Sequence, residues 1–281
     1  MVSSTFSRIL GQMEEERLVS FLPIRSVMRT LEILEELNKN RVSSIRHLHL
    51  KTKLPKPTIV RALQTLLQAG YVTNDPRQAG YQVTSKVNSL SAGFHGDPLV
   101  VEVGRAQAIA LTKKFTWPAS IATIEKTKVV VRYSTISDSP NSPFHATVNM
   151  SLTLDKHALG LAYLAFCPKN EQEILMRALG HLNMLKGNAL NEREILLKQS
   201  LQRIHQQGFS ERNPETEPRS SNTIAVPIIG ENRVLGTLGL TYFRSAYNSF
   251  EATQKFVSTL QKAAKSISKN AQELVKLADF D

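Results

Sequence analysis

A single cysteine, Cys167, stands in 281 residues, so no disulfide can form within the chain and the fold must rest on its core. Such cysteine usage suits a reducing cytoplasm, which is the expected location. No run of about 18 apolar residues occurs, so nothing reads as a membrane-spanning helix. Near the start stand Glu14, Glu15 and Glu16 rather than the apolar centre of a secretion signal. Aromatic residues make up only 6% of the chain and do not cluster, which argues against the stacking platforms of RNA-binding sheets. Signatures of metal and nucleotide chemistry are missing too. There is no CxxC, HExxH or GxxxxGK[ST], and the glycines of GTLGL lack the spacing of a dinucleotide loop. His47 and His49, two apart, diverge on a helix and cannot share a metal; solvated or phosphate-facing roles suit them better. Cys167 with His157 or His145 suggests a cysteine nucleophile. Its place directly before Pro168 at a helix end reads better as a buried, inert thiol. No catalytic residue, metal or cofactor is expected.

Acidic side chains are also in short supply: 35 Lys and Arg against 24 Asp and Glu give a net charge of +11. An anionic partner is implied, a nucleic acid or an acidic membrane surface, unless the charge serves solubility alone. Residues 41–86 concentrate the excess, with eight basic side chains against one acidic, Asp75. That clustering favours a polyanion-binding module near one end of the chain.

What is present gives the module a shape. Residues 1–22 read as an N-terminal arm. From Arg25, apolar residues at Val27, Leu31, Leu34 and Leu37 mark one face of a helix ending near Asn40. Ser43 or Ser44 caps a short second helix with Ile45 and Leu48 inward. A turn at Thr52–Leu54 then leads to LPKPTIVRALQTLLQAGYV. Pro57 suits the first turn of a third helix, Ile59, Ala62, Leu63 and Leu66 form its buried stripe, and Gly70 closes it. YVTN and YQVT read as two strands around DPRQAG. The order, helix, helix, turn, helix and hairpin, is that of a winged helix-turn-helix over 23–86, whose third helix enters the major groove of duplex DNA. Lys53 and Lys56 are placed to neutralise phosphates, Pro57 to fix the approach angle, and Thr58 to bond a phosphate or base edge. Arg61 and Gln64 are placed to read bases, with Thr65 on the same face, and Arg77 sits at the wing tip. A basic nucleic-acid-binding protein without ligand control is the competing reading, and a small-molecule enzyme a weaker one.

Residues 87–115 read as a linker followed by an inter-domain helix over 98–115. The remainder, 116–281, alternates strands (119–125, 129–136, 148–154, 222–229, 236–243) with helices (157–166, 169–180, 191–207, 249–277). The predicted class is therefore α+β in two domains, the second with a mainly antiparallel sheet.

The chain resembles the IclR-type bacterial transcription regulators. The resemblance rests on "LPKPTIVRALQTLLQAGYV…GYQVT", "HALGLAYLAFCP", "QQGFS" and "TIAVPII…VLGTLGL", and spans roughly residues 24–275. FHATVNMSLTLDKHALGLAYLAFCP looks closest to members that control breakdown of aromatic acids. The resemblance implies a GAF-like effector domain behind the winged helix, a linker helix, and assembly as a dimer or dimer of dimers on an operator. This chain departs from the pattern where it has Lys53 in place of a usual glycine, Pro57 in place of a serine, and Thr223 in place of a frequent cysteine. Carried onto this sequence, the family's small-molecule pocket falls on Leu152, Ala158, Leu159, Asn213, Ser221, Thr223, Gly239 and Thr241. The residues agree in part. A helix beginning at His157 offers free N–H groups to a carboxylate, with Lys156 or His157 adding charge, while Thr223 and Thr241 supply hydroxyls and Leu152 an apolar wall. The expected effector is a small organic acid, and the resemblance implies that it is aromatic.

Overall fold

The computed structural model describes residues 22–75, 80–91, 98–144, 146–182 and 188–278. Two compact units, Met1–Phe94 and His95–Asp281, divide the chain.

In the first unit, α1 (Arg25–Asn38), α2 (Ile45–Thr52) and α3 (Lys56–Gln68) surround Ile33, Leu37, Leu48, Ile59 and Leu63, all fully buried. Ser44 caps α2, its hydroxyl accepting the His47 N–H at 3.2 Å. Strands β1 (Val72–Asp75) and β2 (Gly80–Val83) pair antiparallel, Val72 opposite Val83. Ser43 and Tyr81 exchange two backbone bonds of 2.9 Å, tying the hairpin to the segment before α2. Helix α3 ends in a Schellman motif: Gly70 N–H bonds Leu67 O and Tyr71 N–H bonds Leu66 O, each at 3.0 Å. Gly70 takes the left-handed φ of 77° that this closure requires.

The stripe expected on α1 is shifted. Ile33, Glu36 and Leu37 are its buried residues, whereas Val27 and Leu31 stay about half exposed. The spacing 27, 31, 34, 37 is helical, but the residues packed against the other two helices lie in the C-terminal half of α1.

In the second unit, six strands lie in the order β5-β4-β3-β8-β7-β6, each pair antiparallel. They are β3 (Ala119–Glu125), β4 (Lys128–Ser134), β5 (Ser151–Thr153), β6 (Ser210–Glu211), β7 (Ser221–Ile229) and β8 (Val234–Phe243). Helices α4 (Leu99–Phe115) and α8 (Ser249–Ala278) cover one face, and α5 (Ala158–Phe166) with α6 (Lys169–Leu182) and α7 (Asn188–Gln207) the other. The expected linker helix is thus built into this unit: Val101, Ala108 and Leu111 of α4 join Phe256, Leu260 and Ile267 of α8 in one core. Its small residues allow close packing; a β-carbon on Gly104 would meet Ile121 at 2.5 Å.

Strand alternation decides what each face holds. Ile224, Val226, Leu238, Leu240 and Tyr242 point toward α4 and α8. The intervening Thr223, Ala225, Gly239 and Thr241 point toward α5. The face under α5 therefore carries small and polar side chains where the other carries large apolar ones, and it is the face with room for a cavity.

Candidate DNA-contacting face and effector cavity

On α3, the exposed side chains are Lys56, Pro57, Arg61, Gln64, Thr65 and Gln68, opposite the buried Ile59, Ala62, Leu63 and Leu66. The helix has Pro55 as an uncharged cap, no acidic residue in its first turn, and free N–H groups at Lys56 and Thr58 but none at Pro57. Its positive end is thus unneutralised. Thr58 is half-buried, and the Thr65 hydroxyl donates to Arg61 O at 3.0 Å, leaving it only lone pairs to offer outward. Lys53 is exposed at the end of α2. Arg77 lies outside the described residues.

Three basic or titratable groups of the same region are occupied within the fold. Lys86 donates to Ala69 O at 2.7 Å and lies 4.9 Å from the centre of the Tyr71 ring, closing the C-terminus of α3. His49 donates from Nδ1 to Leu54 O at 2.7 Å, so it holds the turn rather than standing solvated. His47 lies against Asn40 and Glu36.

Lys53 has φ 60°, the left-handed region where a β-carbon costs about 1 kcal/mol. Lys53→Gly is therefore expected to stabilise the first unit by about 1 kcal/mol, read as a higher urea midpoint with unchanged slope. DNA affinity should fall at the same time if Lys53 meets a phosphate.

Under α5 lies a cavity of about 60 Å³. Leu152, His157, Ala158, Leu159, Thr223 and Thr241 line it, six of the nine positions expected from sequence. Thr223 and Thr241 are direct register partners, and their hydroxyls sit 2.9 Å apart. One donates to the other, which leaves one proton and spare lone pairs for a ligand. The first turn of α5 adds free N–H groups beside Leu159. Ser120, Val131, Phe144, Thr147, Met150, Arg212 and Glu217 complete the wall and were not expected, and the Glu217 carboxylate is paired with Arg219 at 3.3 Å.

The other three expected residues are placed elsewhere. Asn213 is exposed and borders a separate, larger cleft, with its Oδ1 accepting the Glu215 N–H. Ser221 is fully buried, its hydroxyl accepting from Arg212 at 2.7 Å. Gly239 is a packing position, where a β-carbon would meet Leu159 at 2.9 Å and Thr223 at 3.3 Å.

His157 occupies the N-cap position of α5 without a side-chain capping bond, and it brings no charge. Thr153 donates its N–H to His157 Nδ1 at 3.2 Å, so the neutral ring holds its proton on Nε2. Burial, then the Arg212 charge, lower its pKa from 6.5. The expectation that it adds positive charge is thereby corrected: it offers a neutral donor. The unfolded chain then takes up a proton that the folded chain refuses. Stability is fully present above pH 6.5 and is lost as pH falls below that value toward the folded pKa. Melting scans of the second unit should show that decline, and His157→Asn, which keeps an N-cap residue, should flatten it.

Cys167 is buried, and burial first, then Glu171, push its thiol up to about 12. His145 lies outside the described residues. Among those described, no group of three His, Cys, Asp or Glu could hold a metal, and no helix is long and apolar enough to cross a membrane.

Known proteins resemble the chain along most of its length. Residues 26–76 match the IclR helix-turn-helix domain and residues 111–269 the bacterial transcriptional regulator IclR C-terminal domain. The HTH-type transcriptional regulator KdgR of Escherichia coli is 24% identical over 246 residues, 87% of this chain and 92% of that protein. The fold is shared with an IclR transcriptional regulator from Alicyclobacillus acidocaldarius, at TM-score 0.57 and 19% identity over 88% of this chain and 99% of that one. It is shared too with an IclR homologue from Microbacterium hydrocarbonoxydans solved with 4-hydroxybenzoate, at TM-score 0.55 and 17% identity over 88% and 99%. These families and relatives are regulators of transcription, not enzymes. The chain belongs to the IclR family, a DNA-binding transcriptional regulator with a C-terminal effector-binding domain.

Proposed function

We propose that a compact carboxylic acid bound in the cavity under α5 sets the affinity of this regulator for its operator. The carrying observation is the cavity itself, which combines the threonine pair, the start of α5, a neutral His157 and the cationic Arg212 with the apolar Leu152 and Leu159. Such a lining orients an acid by hydrogen bonds and charge while providing no nucleophile. At about 60 Å³ the space matches roughly four or five waters, which favours a short acid. An aromatic acid, of the kind bound by the Microbacterium relative, requires Phe144 or Met150 to move aside.

At the DNA, Arg61 and Gln64 read bases, and Lys53, Lys56, Thr58 and Arg77 meet the backbone, with Pro57 and Thr65 shaping the contact face. The regulator acts as a dimer or dimer of dimers, because two copies are needed to bury the surface of a tight operator complex. An apolar stripe supports self-association: Ile24, Val27, Met28 and Leu31 are each about half exposed or more, and a second copy would cover them.

Calorimetry with short aliphatic and aromatic acids tests the cavity. The expected result is a hit whose affinity drops about tenfold in Thr241→Val, the loss of roughly one hydrogen bond to a charged group. Hits that bind Thr223→Val and Thr241→Val as tightly as the wild type would place the site elsewhere.

A further inference from the structure

Arg212 and Arg244 form no ion pair with a carboxylate among the described residues. Arg212 is only 5% exposed. Its Nη2 donates to Pro218 O at 2.8 Å, to Ser221 Oγ at 2.7 Å and to the Ser221 carbonyl. Arg244 donates from Nε to the same Ser221 carbonyl at 3.2 Å. All of these acceptors are neutral. Glu217 acts on Arg212 through space but is paired with Arg219 at 3.3 Å. Each arginine also keeps a buried N–H without an acceptor, Nε in Arg212 and Nη2 in Arg244. Burial, then repulsion by Arg244, lower the Arg212 pKa. Buried charge left unpaired is costly, and its presence here calls for an anion from outside.

Space for that anion exists. Both arginines line an open cleft of about 570 Å³ between α7 and the β6–β7 edge, distinct from the effector cavity although Arg212 borders both. Lys156 and Arg203 add to its cationic lining, and Arg193 lines it as the partner of Asp155. Its two carboxylates are engaged: Asp155 pairs with Arg193 at 2.5 Å, and Glu211 accepts from Asn222 at 3.2 Å and Ser249 at 2.6 Å.

We propose that this cleft is a second binding site, for a small organic anion carrying a phosphoryl group or paired carboxylates, one oxyanion group of which is held between Arg212 and Arg244. Phosphate and carboxylate offer the same chemistry, several anionic oxygens able to accept from two guanidinium groups at once. Arg244 lines the cleft but not the cavity, so its variants probe this site independently of the acid proposed above.

The test is calorimetry and thermal shift on the full-length chain with inorganic phosphate, pyrophosphate and citrate. At least one should bind with one site per chain. Arg244→Gln should weaken that binding by roughly tenfold or more, Arg244→Lys by less, and Thr241→Val not at all. Arg203→Glu, on the exposed wall, should weaken the same anions and serves if Arg244→Gln fails to fold. Binding of citrate alone assigns the site to carboxylates; binding of phosphate or pyrophosphate alone assigns it to phosphoryl groups. Absence of binding by all three, or unchanged binding by both Arg244→Gln and Arg203→Glu, would overturn the proposal.

Discussion

Arg61→Ala is expected to weaken binding to an operator selected from random duplexes by roughly tenfold to a hundredfold, while binding to unselected DNA barely changes. The side chain stands exposed on the face of α3 opposite Ile59 and Leu63, in the first two turns of the helix. A guanidinium there reaches a guanine edge bidentately, which is worth about 1–3 kcal/mol of discrimination. Lys56→Ala should behave differently. As a phosphate contact it should lower both affinities alike and reduce the slope of log affinity against log salt by roughly one. Gel-shift titrations of the two variants on both duplexes, over a salt series, separate the roles. Equal loss on both duplexes for Arg61→Ala would reduce it to another phosphate contact.

The second large effect is on folding. Gly160→Ala should destabilise the effector unit by about 3 kcal/mol or more. A β-carbon there would lie 2.3 Å from Thr153 O and 2.7 Å from Leu154 Cα, and both obstacles are backbone. Helix α5 lies directly on β5 because residue 160 has no side chain, and that approach brings Leu159 over Gly239. Relief requires moving α5 away from the sheet, which opens the cavity. For a unit of this size the melting midpoint should fall by roughly 6–12 °C, and binding of any cavity ligand should weaken with it. A midpoint within about 2 °C of wild type would show that α5 can move at little cost.

Much of this arrangement was legible in the chain. The Pro57 and Gly70 signals bracket α3 because both act locally, through backbone φ and missing or spare N–H groups. The cavity positions Leu152, Ala158, Leu159, Thr223 and Thr241 followed from the resemblance, and strand alternation explains why they converge. Arg212 was not legible. It directly follows a short edge strand, one basic residue among many, and its burial and neutral partners arise only when β6, β7 and the 213–221 loop come together. Phe144 and Thr147 likewise belong to a stretch with no periodic pattern. Asn213, Ser221 and Gly239 are absent from the cavity wall for local reasons: Gly239 faces α5 but has no side chain, Ser221 is held by Arg212, and Asn213 lies in the exposed loop after β6. On α1 the expected face packs at Leu34 and Leu37 but not at Val27 and Leu31, since periodicity gives no sign of where a neighbouring helix ends.

The central claim, that an acid in the cavity under α5 controls operator affinity, is tested most directly by operator titration with and without a saturating acid hit. An effector shifts an equilibrium only by its differential affinity for the two states. Couplings of about 1–3 kcal/mol are typical, so the operator dissociation constant of the wild type should change by roughly 5–150-fold. At the same acid concentration the change should vanish in the Thr223→Val, Thr241→Val double variant, whose operator affinity without acid should equal that of the wild type. An operator dissociation constant that stays fixed in the wild type while calorimetry shows the cavity filled would contradict the account.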